Sequence, residues 1–188
     1  MNWIHHRLCA SRSWHRFMVT EALPWALQGV PLVHDLLEIG PGTGAATELL
    51  GARAHRLTCV EIDPALAQAL RLRIPSPRVA IVCGDAADMP LRDASCDVAV
   101  ALTMLHHVRS PARQDQLLSE VARVLRPGGM FAGFDILPTP ALRVLHWFDT
   151  MVPVDPAAFR RRAEAAGFTR VGVDLRSNRF AFRASRAA

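Results

Sequence analysis

At 188 residues, 51% of them hydrophobic, the chain is long enough for one domain with a substantial core. No run approaches the roughly 18 apolar residues that span a bilayer, and the opening "MNWIHHRLCASR" lacks the apolar stretch of a secretion signal. A cytoplasmic protein without an integral membrane part is expected. Net charge is +5, and all 22 basic residues are arginine, which excludes a lysine Schiff base and a lysine-bearing phosphate loop.

The arginines are scattered. Their densest run, Arg160-Arg161-Arg162, reads as the solvated face of a helix that turns Phe159, Ala163 and Ala166 inward. The charge therefore predicts no specific nucleic-acid partner. Cys9, Cys59, Cys83 and Cys96 form no CxxC pair, and the last three lie in apolar runs that read as strands. Buried, reduced thiols are expected.

Residues 13–28 carry Trp14, Phe17, Met18 and Trp25 on one helical stripe, which Pro24 is predicted to divide into two short helices. The whole of 1–30 is expected to act as an amino-terminal helical lid within a single domain, 1–188. "DLLEIG" (35–40) is a short apolar strand, followed by a helix with Ala46, Leu49 and Leu50 inward. "LTCVEI" (57–62) is the second strand, and Pro64 suits the first turn of the helix after it. "RVAIVCG" (78–84) and "CDVAVAL" (96–102) follow as strands three and four. Leu117, Leu118, Val121, Val124 and Leu125 mark a long helix stopped by "RPGG", and "GMFAGFDI" (129–136) is the fifth strand. A helix over 156–166 ends at Gly167, and "RVGVDLRS" and "RFAFRAS" form two strands joined at Ser177-Asn178.

Alternating strands and helices predict a parallel sheet buried on both faces. The closing pair must be antiparallel, because two residues cannot connect parallel strands. The expected fold is α/β, a Rossmann-like doubly wound sheet with an antiparallel strand near one edge. Its ligand belongs outside the carboxyl ends of the strands.

Strand one ends in Glu38, Gly40, Pro41, Gly42 and Gly44, where missing Cβ atoms let a ligand approach the backbone. "GPGTGA" also fits a looser dinucleotide pattern, and the acid Glu61 at the end of strand two suits the ribose of either cofactor type. Strand three decides between them. It ends in Gly84-Asp85-Ala86, an acid placed for an exocyclic adenine amine, while Glu38 favours a cationic ammonium over a pyrophosphate. S-adenosylmethionine, with its sulfonium, ammonium, diol and adenine amine, matches these three acids.

"LLEIGPGTG", "CVEIDP", "VCGDAADMPLRDASCDVAVALTMLHHV" and "EVARVLRPGGMFAGFD" follow one another as in class I S-adenosylmethionine-dependent methyltransferases. The chain resembles in particular the branch of ubiquinone and menaquinone biosynthesis methyltransferases. The resemblance implies a seven-stranded sheet in the order 3-2-1-4-5-7-6. It also implies that Glu38 and Gly40 hold the methionyl end and that Gly42 and Gly44 admit the cofactor to the backbone. Glu61 would take the ribose hydroxyls, Ile62 would pack on the adenine, and Asp85 and Ala86 would meet its polar edge. Leu102 and Thr103 would line the methionyl side.

In "TMLHHV" (103–108), His106 and His107 are candidate bases for a proton released as the acceptor is methylated. Being adjacent, they are expected to diverge, with at most one, preferably His107, facing the acceptor. No metal ligand is assigned. The amino-terminal stripe and "LPTPALRVLHWFDTMVP" (137–153), with Trp147 and Phe148, are expected to wall the acceptor site. That points to a small, largely apolar acceptor such as a quinone-like ring, polyketide or lipid; homo-oligomerisation stays open. The rival readings are a nicotinamide-dependent oxidoreductase and a non-catalytic S-adenosylmethionine-binding subunit.

Overall fold

The computed structural model describes residues 3–147 and 149–188, so Phe148 lies outside the described residues. The chain begins with α1 (Trp3–Cys9), α2 (Arg12–Phe17) and α3 (Leu23–Ala26). β1 (Asp35–Ile39), α4 (Thr47–Arg53), β2 (Arg56–Glu61), α5 (Pro64–Arg73) and β3 (Val79–Cys83) form the first half of the sheet and its helices. β4 (Cys96–Leu102), α6 (Pro111–Val124), β5 (Leu125–Ile136), α7 (Pro140–Leu145), α8 (Pro156–Ala165), β6 (Phe168–Arg176) and β7 (Arg179–Arg186) complete it. The seven strands are ordered β3-β2-β1-β4-β5-β7-β6, as expected. β1 to β5 pair in parallel, and β7 runs antiparallel to both β5 and β6.

Four helices share one start signal. Asp63, Ser110, Thr139 and Asp155 each accept hydrogen bonds from first-turn amides, and each precedes a proline whose missing N–H needs no partner there. The sheet buries a cluster on each face. On one, Phe159 and Phe131 pack on Phe182 with ring centroids 4.6 and 4.8 Å apart. On the other, Met18, Leu23, Trp25, Leu36, Leu50 and Phe134 meet. At the centre, a Cβ on Gly133 would stand 1.9 Å from the Ala101 carbonyl oxygen, so β4 and β5 could not pair with any larger residue there.

Several expectations need correction. Pro24 does not divide the amino-terminal helix. The turn Met18–Ala22 widens to a π-helix, with the Leu23 amide bonded to the Met18 carbonyl, and this makes room for the proline ring. Trp25 is core, not lid: its ring is buried, and Nε1 donates to Asp174 Oδ2 at 2.6 Å. Arg183 caps the same helix by donating to the carbonyls of Trp25 and Ala26. "RPGG" does stop α6, but Leu125 already pairs with Cys96, so the segment is a bulged start to β5. Cys83 is exposed, because β3 is an edge strand; Cys59 and Cys96 are buried as expected. Arg162 turns from solvent to α6, where it bonds Asp115, Gln114 and the Pro111 carbonyl.

Candidate cofactor and acceptor site

The carboxyl ends of the central strands open into a cavity of about 1170 Å³. That exceeds the roughly 300–1,000 Å³ usual for one drug-sized ligand. Strand order sets its layout, from Asp85 after β3, through Glu61 and Glu38, to Thr103 after β4 and Ile136 at the end of β5.

The glycines of the first loop do different jobs. Gly40, Gly42 and Gly44 have φ of 60, 55 and 73°, a region that costs other residues. A Cβ on Gly44 would strike Arg73 and Leu70, so this glycine serves the packing of α5 and does not line the cavity. At Gly40 the space belongs to Met104. Only Gly42 faces open space, with no protein atom within 4 Å of where a Cβ would stand. Its amide donates to Glu61 Oε2 at 2.9 Å, and Asp63 N donates to Oε1 at 3.0 Å. A carboxylate offers about four acceptor sites, so Glu61 holds the loop and retains capacity for a diol.

Glu38 is 3% exposed. Burial pushes its pKa up to about 7, against the opposing pull of the Thr47 hydroxyl and of the Cys59 thiol 3.5 Å away. Thr47 Oγ1 is itself buried and makes no hydrogen bond of good geometry among the described residues. A buried acid whose pKa is raised by desolvation is one that a bound cation would favour in its charged form. Ile62, 61% exposed although apolar, presents a flat surface to the cavity. Asp85 accepts from Ala87 N at 2.8 Å and from Arg113 at 2.5 Å. Arg113 escaped the sequence reading, and an adenine amine would share the carboxylate with it. Pro41, Ala86, Leu102 and Thr103 also line the cavity. Thr103 holds φ of 53°, a strained value for a β-branched residue at the end of β4.

Beyond Thr103, Leu105–His107 forms a 3-10 turn that brings both histidines to the cavity wall, with ring centroids 4.2 Å apart. The expectation that the adjacent rings would diverge is corrected: both line the cavity, tilted 38° to one another. His106 is anchored by Asp135, its backbone N donating to Oδ2 at 3.0 Å and its Nδ1 to Oδ1 at 2.5 Å. Burial opposes the charge on His106, but the Asp135 carboxylate outweighs it and holds the pKa above the ordinary imidazole value. His146 joins from the end of α7, with its Nε2 3.2 Å from that of His106. Burial lowers its pKa. Neither Asp135 nor His146 was singled out from sequence; an acid inside the apolar strand "GMFAGFDI" was the available signal.

Leu8, Trp14, Phe17 and Met18 supply an apolar wall. Trp147 does not contribute: it is 64% exposed, one residue beyond the inward-facing His146.

Fold and cavity define a Rossmann-like domain built to hold a nucleoside cofactor with cationic groups. Residues 37–133, about half of the chain, match the family described as "Methyltransferase domain". The chain belongs to that family, and its cofactor is S-adenosylmethionine. A probable S-adenosylmethionine-dependent methyltransferase of Mycolicibacterium smegmatis is 41% identical over 52% of this chain and 36% of its own length. A malonyl-[acyl-carrier protein] O-methyltransferase of Methylococcus capsulatus is 34% identical over 77% of this chain and 55% of its own. The chain thus spans about half the length, or less, of these relatives. A solved S-adenosylmethionine-dependent methyltransferase from Aquifex aeolicus shares the fold, with TM-score 0.76 at 17% identity, over 98% of each chain.

Proposed function

We infer that the protein methylates a small acceptor whose body is largely apolar, within the cavity that holds the cofactor. One observation carries this reading: the acidic cradle and the apolar, histidine-ended compartment are a single cavity, large enough for two ligands. Bound S-adenosylmethionine supplies a sulfonium methyl group whose carbon–sulfur electron pair stays on sulfur, giving a neutral thioether.

The chain's own residues do the rest. Glu38 neutralises the cationic methionyl end, Glu61 takes the ribose diol, and Ile62 and Asp85 fix the adenine. Leu8, Trp14, Phe17 and Met18 exclude water and align the acceptor, which supplies much of the acceleration in such displacements. The proton displaced from the acceptor leaves at the end of the cavity that His106 and His107 line. The quoted motifs resemble quinone-methylating enzymes, and the Methylococcus relative is named for methylation at oxygen; a quinone-like ring, polyketide or lipid with an oxygen-bearing group fits both. Residues 1–188 act as one domain, with Leu8 to Met18 the part of the amino-terminal segment that covers the site.

Nucleic acid is disfavoured. Arg123, Arg126, Arg162 and Arg183 are tied to acids or carbonyls of the same chain, which lessens what they could offer a phosphate backbone. The test offers labelled S-adenosylmethionine with total RNA in one tube and an apolar metabolite extract in another. Label is expected in the extract, and label confined to RNA would overturn the reading. A non-catalytic subunit would bind cofactor and label neither.

A further inference from the structure

His106, His107 and His146 place one ring nitrogen each within 4.8 Å of the others at the acceptor end of the cavity. Each of two rings has its Nδ1 committed. His106 Nδ1 lies 2.5 Å from Asp135 Oδ1, and His146 Nδ1 lies 2.8 Å from the Leu142 carbonyl oxygen. Both partners are acceptors, so both Nδ1 atoms carry hydrogen. The two Nε2 atoms then turn their lone pairs on one another at 3.2 Å. Two lone pairs at that separation repel unless a cation lies between them, and the cation is either a proton or a metal ion.

We propose that His106, His107 and His146 bind a divalent transition-metal ion of the zinc type, leaving its fourth position open to the cavity for an oxygen of the acceptor. Three features favour a metal over a shared proton. At zinc–nitrogen distances of about 2.0–2.1 Å, tetrahedral ligands stand about 3.3 Å apart, close to the separation already set between His106 and His146. A third imidazole, that of half-buried His107, completes the set within 4.8 Å. The outer contacts also match. A metal-binding histidine donates its second N–H to a carboxylate or backbone carbonyl, as Asp135 and Leu142 provide here.

Three imidazoles with one open position make a site of the catalytic rather than the closed structural kind. An ion there would hold a hydroxyl, enol or carboxyl oxygen of the acceptor and favour its deprotonated form, with the proton passing to solvent. That role rests on the methyl-transfer reading above; the site itself does not.

The test uses the full chain, stripped with a chelator and dialysed. Co²⁺ is added as an optical probe, and Zn²⁺ affinity is measured by competition with a chromophoric chelator. One equivalent of Co²⁺ should give the strong visible absorption of a tetrahedral site. His107→Ala and His146→Ala should abolish that band, and Asp135→Asn should weaken Zn²⁺ binding about 10–100-fold through loss of ligand orientation. Binding of S-adenosylhomocysteine by each variant shows that it has folded. No visible band, or Zn²⁺ binding unchanged in folded His146→Ala, would overturn the metal site and leave a shared proton between the rings. Cofactor binding without metal binding fails this inference alone; metal binding without cofactor binding fails the methyl-transfer reading alone.

Discussion

Asp135 and His106 form a buried pair on neighbouring strand ends, with Nδ1 2.5 Å from Oδ1 and side-chain relative exposures of 0% for Asp135 and 2% for His106. The same carboxylate also accepts the backbone amides of His106 and Ile136. It therefore fastens the turn after β4 to the end of β5. Removing one partner of such a pair leaves the other uncompensated, so Asp135→Ala should cost about 3–5 kcal/mol of stability. Urea unfolding followed by circular dichroism measures this, and a loss below about 1 kcal/mol would show that the pair contributes little.

Glu38 should make stability and cofactor binding pull in opposite directions. Its folded pKa of about 7 lies above the ordinary 4.5, so the folded state binds the extra proton between those values. Stability of the free protein should fall as pH rises across that window, by up to about 3 kcal/mol. Glu38→Gln should then be more stable than wild type at pH 8 and similar near pH 4.5, with weaker cofactor binding throughout. Calorimetry near pH 6 in buffers of different ionisation enthalpy should show a proton released as the cationic cofactor binds. No proton release would separate Glu38 from the cofactor.

Gly42 and Gly128 permit a matched comparison. Both have positive φ, 55 and 76°, and neither has a protein atom within 4 Å of an added Cβ. Alanine at either should cost about 1–2 kcal/mol of backbone strain. Only Gly42 lines the cavity, so only Gly42→Ala should also weaken S-adenosylhomocysteine binding, and Gly42→Val more so. Equal binding by the Gly42 and Gly128 variants would remove the loop from the cofactor site.

The thiols should react in order of exposure. Cys83, on the edge strand, should label rapidly with a thiol reagent in the native protein. Cys59 and Cys96 are buried, and burial pushes the Cys96 thiol up to about 12 and Cys59 higher still, while half-buried Cys9 is raised to about 11. These three should react slowly until the chain unfolds. Mass spectrometry of the labelled native protein checks the order, and preferential labelling of Cys59 would contradict the packing.

The acidic cradle was legible from sequence because it is written in short-range patterns, whereas the strand order came from the resemblance that the ordered motifs carry. A strand's apolar run, the glycines after it and the acid that ends it lie within a few residues, and parallel α/β geometry carries every such strand end to one rim. Glu38, Glu61 and Asp85 could be placed together on that ground alone. The exposure of Cys83 was not legible, since an edge strand and a central one share the same apolar run. Nor was the π-turn before Pro24, where packing against Phe134 and Asp174 outweighed the local preference to break.

The histidine end of the site was decided by tertiary structure. His106 and His107 announce themselves, but Asp135 reaches them only because β5 pairs beside β4, and His146 only because α7 folds back over those strand ends. These partners lie 29 and 40 residues from His106, in segments whose own periodicity concerns burial and carries no record of which polar groups will meet. Low-dielectric burial then makes the pairing obligatory, because an acid or imidazole there is costly without its partner. Sequence by itself determined the strand-end acids that argue for the cofactor; packing determined which polar groups meet beyond β4.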